Sequence, residues 1–330
     1  MTLALSEIQA LTQDVWMPGA ANNWMMGNIM QYKLLEAAET KDSGEYVRYV
    51  LTYARSNGGA FGPTSVFNTT KKATHNAAQF TWSYFYGNTT WDIEDDVKVN
   101  GGSSGVDLLM SKLDNMQSSI KDYMGDSLWT AYATALTTYG AETIPFYGIP
   151  DLFAATSTYG RIAYTDLGTF TNAGTGSSQY VWAPYTSASS LSMSFDTLQL
   201  LSRCTRVGGD NGKEIIDLIV TTATLKDSFE AQIQPQQRHY DPNLAKAGFE
   251  HVNFRENCPV VVDDKCTASY VNGFNMKNFK LHPHSEYFFT KPEWMSPVNQ
   301  PQVKTCSTMF VGAVGTGARR SHGQLTNVSP

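Results

Sequence analysis

Charge is scarce in this 330-residue chain: only 16% of its residues are Asp, Glu, Lys or Arg, against roughly a quarter in an ordinary soluble protein. The 24 basic and 30 acidic residues leave a formal charge of −6, so the basic excess of a dedicated nucleic-acid binder is missing. Two small clusters, Lys71–Lys72 and Arg319–Arg320, are all the basic patterning there is. No stretch approaches the ~20 apolar residues that span a bilayer, and no membrane partner is expected. The opening MTLALSEIQALTQDVW has no basic leader and meets Glu7 early, which predicts synthesis in the cytoplasm without a secretory signal. Cysteine is limited to Cys204, Cys258, Cys266 and Cys306, with no CxxC pair. Buried, reduced thiols are expected.

Catalytic patterns are missing too. His282, His284 and Glu286 in HPHSE share one face of an alternating strand, but no fourth metal ligand accompanies them. WDIEDD at 91–96 lacks the glycine and distal Glu of a calcium loop. Gly312, Gly315 and Gly317 stand in the reverse order of a dinucleotide fingerprint, and only thirteen residues follow them. There is no GxSxG and no phosphate-binding loop lysine motif. Neither an enzyme nor a metal or cofactor site is predicted.

What the chain does have is apolar and aromatic patterning, 42% hydrophobic and 12% aromatic, enough for two or three packed units. Residues 1–43 read as an arm with short helical pieces, its Met-rich WMMGNIMQYKLLEAAET carrying Trp24 and Met25. Such side chains suit adaptable packing on a neighbour. EYVRYVLTY at 45–53 and AQFTWSYFY at 78–86 read as two strands around a long polar tip. Strict alternation in the second strand puts Phe80, Trp82, Tyr84 and Tyr86 on one face. That aromatic face on a projecting hairpin is a candidate contact surface.

After GGSSG at 101–105, Val106, Leu109, Met110, Leu113, Met116, Ile120, Tyr123 and Met124 keep a helical rhythm that predicts one helix over 104–136. Residues 140–190 are loop-rich, 195–205 helical, and LIV at 218–220 a strand that turns through TTAT into a helix. Short strands follow in GFEHVNF, PVVVDD, SYVNGFNM, FKLHPHSEYFF and TCSTMFVGAV. The class is α+β.

The runs DLIVTTATLKDSFEAQIQPQQRHY (217–240), GFEHVNFRENCPVVVDD (248–264) and WMSPVNQPQVKTCSTMFVGAVGTGARRSHGQLTNV (294–328) resemble the major capsid proteins of tailed bacteriophages. The likeness is closest over 195–330 and architectural over 1–190. His239 stands where an aromatic is expected after QPQQR.

The resemblance implies the Hong Kong 97-type capsid fold: an N-terminal arm (1–43), an extended E-loop hairpin (44–103), a spine helix of the peripheral domain (104–139), an axial domain (140–276) and return strands of the peripheral domain (277–330). No long delta segment is recognisable, so an internal scaffold domain is expected to be absent or already removed. The TTAT threonines would then cap a helix. The implied function is self-assembly into pentamers and hexamers of an icosahedral head around double-stranded DNA, within a virion, with portal and scaffold or decoration proteins as partners and only weak, non-specific DNA contacts. Inter-subunit contacts are expected at Trp24, Met25, Lys71, Lys72, Phe80, Trp82, Tyr84, Arg238, Arg319 and Arg320. Excising 60–76 should leave a subunit that folds but assembles poorly. Two other readings stay open: a soluble α+β domain binding a ligand through its aromatic loops, and a phage-derived cellular compartment shell.

Overall fold

The structure, a computed structural model, describes residues 27–92, 103–172, 174–206, 215–233, 252–255, 258–290, 293–300 and 302–330. Trp24, Met25 and Arg238 lie outside the described residues, as do the first 26 residues of the expected arm and most of WDIEDD. In chain order the elements are α1 (Ile29–Glu36), β1 (Val47–Thr52), β2 (His75–Phe80), β3 (Ser83–Asp92), α2 (Ser103–Trp129), α3 (Tyr132–Tyr139) and α4 (Ile149–Phe153). Then come β4 (Thr169–Thr171), β5 (Ser178–Tyr180), β6 (Tyr185–Ser187), β7 (Leu191–Ser192), α5 (Phe195–Cys204), β8 (Leu218–Thr221), α6 (Ala223–Ile233), β9 (Val252–Arg255) and β10 (Cys258–Val262). β11 (Val271–Phe274), β12 (Phe279–Pro283), β13 (Glu293–Met295), β14 (Val303–Thr316), β15 (Gly323–Leu325) and β16 (Val328–Ser329) complete the chain.

By contact density the chain forms two units. The smaller holds Tyr86–Ile120 and Lys291–Thr308, and the larger Met26–Phe85, Lys121–Thr290 and Met309–Pro330. In the smaller, β13 pairs antiparallel with Thr305–Ser307 of β14, and Met116 and Ile120 of α2 are buried.

The larger unit is built on a six-stranded sheet in the order β6-β15-β11-β8-β10-β9. Its β8–β10 and β6–β15 pairs are parallel and the others antiparallel. Every residue of β8 and β11 is buried, which explains why LIV reads as an unbroken apolar run with no polar alternation. α5 and α6 cover this sheet, Leu198 and Leu201 from one and Leu225 and Phe229 from the other packing with Ile219, Val260 and Val271. α5 starts as its sequence predicts: the Ser194 side chain accepts from the N–H of Thr197, one of the helix-end donors that otherwise lacks a partner.

In the TTAT turn at 221–224 the first threonine is not a helix cap. Thr221 completes β8, fully buried, and its hydroxyl donates to the carbonyl of Tyr270 at 2.9 Å. The turn therefore staples sheet to loop. All four cysteines are free and buried; burial pushes the Cys258 and Cys266 thiols up to about 12, which leaves them unreactive at neutral pH.

The predicted single helix over 104–136 is two helices. α2 ends at Trp129 and α3 begins at Tyr132. The cause lies further along the chain, where Gly148 presses into the end of α2. A Cβ at Gly148 would sit 2.1 Å from the carbonyl oxygen of Thr130. Asp151 then takes the N–H groups of Tyr132 and Gly148 at 2.7 and 3.0 Å, starting α3 on a side-chain acceptor rather than on the preceding turn. Lys265 ties α2 to the β10–β11 turn through Asp122 and, at 2.6 Å, Asp126.

Candidate assembly surface

β1 and β2 form an antiparallel ladder from Val47↔Phe80 to Thr52↔His75, and Tyr53 N–H to Thr74 carbonyl extends it by one step. The expected hairpin is present, but its aromatic face is not. Ala78, Phe80 and Trp82 are buried, and so are Ser83 and Gly87, so the inward parity changes from even to odd between Trp82 and Ser83. Residues 81–82 fall outside both strands. The indole N–H of Trp82 donates to Gly44 carbonyl at 2.6 Å and the Ser83 hydroxyl to Pro145 carbonyl at 2.9 Å. Two consecutive side chains with interior partners break the pleat. Tyr84 and Tyr86 consequently face outward, 56% and 71% exposed.

Phe80 is the root of the hairpin rather than a contact for a neighbour. It is fully buried, edge-on to Tyr159 and Tyr49 with ring centroids 5.1 and 5.7 Å away, and it fits because residue 315 is glycine. A Cβ there would lie 2.5 Å from Phe80 Cδ2. A hydrogen-bond chain locks the same root. The His282 ring gives Nδ1–H to the carbonyl of Glu39 (3.0 Å), leaving Nε2 to accept from the Tyr49 hydroxyl (2.7 Å). Burial moves His282 below the ordinary histidine value and Tyr49 above that of a free phenol, so both are neutral here. Trp82 completes the root, edge-on to His284 at 5.5 Å.

Beyond the ladder every residue from 55 to 73 is exposed, Lys71 and Lys72 among them. The tip holds three large apolar side chains, Phe61 at 70%, Val66 at 97% and Phe67 at 65% exposure. Phe61 and Phe67 meet edge to face, 5.3 Å between centroids. Gly, Thr and Asn surround these three in the sequence, so they belong to no apolar periodicity.

Arg319 and Arg320 separate. Arg320 is half-buried, its guanidinium 4.3 Å above the Phe170 ring. Arg319 is fully buried and donates to the carbonyls of Asp151, Leu152, Ala154, Ser157 and Trp182, so it has no surface to offer a neighbour. Burial lowers its guanidinium to about 10, still cationic at neutral pH.

Among the described residues no group of three metal-ligating side chains occurs, and no helix is long and apolar enough to cross a membrane. A cavity of about 200 Å³ is lined by Trp129, Ile149, Pro150, Phe153, Ala154, Thr267, Tyr270 and Gln324; it presents no carboxylate, histidine or lysine to a reacting atom.

No protein-family model matches the chain, and no curated protein sequence matches it. Solved structures do match. The capsid asymmetric unit of cyanophage A-1(L) aligns with a TM-score of 0.72 at 12% identity, over 99% of this chain and 100% of its own. The capsid of a native GTA particle gives 0.60 at 7% identity over 100% of both chains. The holo-SrpI encapsulin complex from Synechococcus elongatus PCC 7942 gives 0.57 at 9%, over 100% of this chain and 97% of its own. Sharing whole-chain architecture at such low identity, the protein has the α+β, Hong Kong 97-type fold of tailed-phage major capsid proteins.

Proposed function

We propose that this chain is the shell subunit of a tailed-phage head, assembling with copies of itself into pentamers and hexamers around double-stranded DNA. The observation that carries the reading is the hairpin tip, in which Phe61, Val66 and Phe67 stand in solvent on a well-anchored root. Exposed apolar groups on a long projection mark a surface that a partner covers. Obligate interfaces of about 2,000–5,000 Å² are reached more readily by overlapping projections than by compact bodies. Heterologous contacts of that kind close into rings.

On this reading 1–43 is an arm, 44–103 the overlapping loop, 104–139 the spine helix, 140–276 the axial domain and 277–330 the return strands. Lys71, Lys72 and Tyr84 are contact residues, joined by Phe61, Val66 and Phe67. Trp24, Met25 and Arg238 stay within the proposal as contacts, and half-buried Arg320 borders one. Portal, scaffold or decoration proteins cooperate, DNA is held weakly by a net-negative subunit, and the protein resides in the virion.

Expression of the full chain followed by size-exclusion chromatography and electron microscopy tests this. Closed shells support it, and a stable monomer at high concentration overturns it. The likeness to the encapsulin complex favours one second reading, a cellular compartment shell. Particles purified from cells after nuclease treatment separate the two: protected double-stranded DNA supports the head, and protein cargo supports the compartment.

A further inference from the structure

From Tyr46 to Trp91 the chain contains no Asp or Glu, yet it contains Arg48, Arg55, Lys71 and Lys72. A wholly cationic hairpin is unexpected in a protein of formal charge −6. The opposite sign gathers immediately before it. Residues 36–45, EAAETKDSGE, hold Glu36, Glu39, Asp42 and Glu45 against a single Lys41, and all four carboxylates belong to exposed residues.

This acidic stretch is a fixed ledge. Glu39 N–H and Lys41 N–H donate to the carbonyls of Leu281 and Pro283 at 3.2 and 2.9 Å, and Ser285 N–H donates to Lys41 carbonyl at 3.1 Å. Trp82 holds Gly44 from the other side. Lys280 pairs with Glu39 and Lys33 with Glu36, which leaves Asp42 and Glu45 as the exposed carboxylates of this stretch that form no ion pair among the described residues.

The two charges sit at opposite ends of one element. Lys71 and Lys72 lie past the His75 end of the ladder, and Asp42 and Glu45 precede the Val47 end. Six paired residues span roughly 20 Å, several times the ~4 Å of an ion pair. A ladder of fixed length keeps lysines and carboxylates apart within a chain. Between chains arranged head to tail, each tip meets the next ledge, and the same pairing repeats around the ring.

The geometry points to a second copy of this chain as the occupant of the ledge: the Lys71–Lys72 tip of one subunit docks on the Asp42–Glu45 ledge of the next. This deepens the shell reading and rests on it. A polyanion such as DNA would take the lysines alone; the matched ledge on the same hairpin is what favours a copy. Charge pairs of this kind set register and partner choice and weaken with salt.

The test uses three full-length proteins: wild type, K71E/K72E, and D42K/E45K. Each variant alone sets like charges against each other, and particle yield should fall about tenfold or more. Mixed in equal amounts the two variants should recover particles containing both chains, because alternation restores every tip-to-ledge pair in a ring of six and all but one in a ring of five. Particle yield of the wild type should also drop as salt rises. The proposal is overturned if K71E/K72E assembles as well as wild type, or if mixing restores nothing while each variant keeps the wild-type melting temperature. If D42K/E45K alone assembles normally and only K71E/K72E fails, DNA is the ligand of the tip and the proposal is likewise overturned. Failure of the wild type to form particles at any salt concentration refutes the shell reading itself, and this inference with it.

Discussion

Arg319 Nη2 lies 2.6 Å from the carbonyl oxygen of Ala154, one of five main-chain carbonyls around a guanidinium that no solvent reaches. The side chain organises the 151–157 stretch, from α4 into the turn after it, and the Trp182 turn as a common acceptor set. Its charge is offset by carbonyl dipoles and by the Tyr159 ring 5.0 Å away, with no carboxylate in hydrogen-bond contact. Arg319→Met would strand those carbonyls in the interior, and each buried polar group left without a partner costs about 1–3 kcal/mol. We expect a loss of at least ~3 kcal/mol in denaturant titrations. Arg319→Lys should rescue only part of it, since an ammonium cannot fork toward five acceptors. Equal stability of Arg319→Met and wild type would refute this role.

The hairpin root depends on one missing methyl group. Gly315→Ala places a carbon where the Phe80 ring is, and forced overpacking of this kind costs about 1–3 kcal/mol. Phe80→Leu in the same chain should relieve the overlap, so that the double variant is more stable than the two separate losses predict. A strictly additive cycle measured by thermal unfolding would mean that the two residues do not compete for the same space.

Tip and fold should separate cleanly. Replacing 56–72 with an Asn-Gly turn keeps the ladder and the Tyr53–Thr74 step and removes only exposed residues. The melting temperature by circular dichroism should stay within about 2 °C of wild type, while particle formation seen by electron microscopy is lost. The excision has to stop before His75. Carried to 76, it would delete the ladder partners of Thr52 and Leu51.

Acid should destabilise the subunit through His322. Asn275 N–H donates to its Nδ1 at 3.2 Å, so Nε2–H is the donor to Thr316 Oγ1 at 3.0 Å. Complete burial lowers the ring from the ordinary 6.5 to about 3. The unfolded chain therefore takes up the proton first as pH falls. The stability is fully present above pH 6.5 and is lost between there and about 3, at up to ~1.4 kcal/mol per pH unit. His322→Gln keeps one acceptor and one donor and does not titrate. Urea midpoints from pH 7 to 4 should fall less steeply for His322→Gln than for wild type; parallel curves would exclude His322 as the cause.

Local signals carried much of this architecture. Ser194 and the 3–4 spacing of Leu198 and Leu201 define α5, and the apolar runs of β8 and β10 announce buried strands. The hairpin was legible from two strands around a Gly- and Thr-rich tip. What escaped was set by residues distant in sequence. Gly148 and Asp151 split the long helix, and the Gly44 and Pro145 carbonyls turned Trp82 and Ser83 inward together. Arg319 beside Arg320 reads as surface charge, because no local pattern tells a guanidinium that a loop of carbonyls will surround it. At the candidate surface, Lys71 and Lys72 were visible as a basic pair. Phe61 and Phe67 were not, since isolated aromatics in polar surroundings have no periodicity to detect.

The ladder-free stretch from 55 to 73 has a consequence for the lifetime of a single copy. Arg55, Lys71 and Lys72 sit there in accessible backbone, which is what a trypsin-like protease cleaves. A polypeptide that finds its place among others shelters those bonds, and one that does not stays open to being cut. If the segment holds neighbours as proposed above, surplus copies are the ones such a protease would clear.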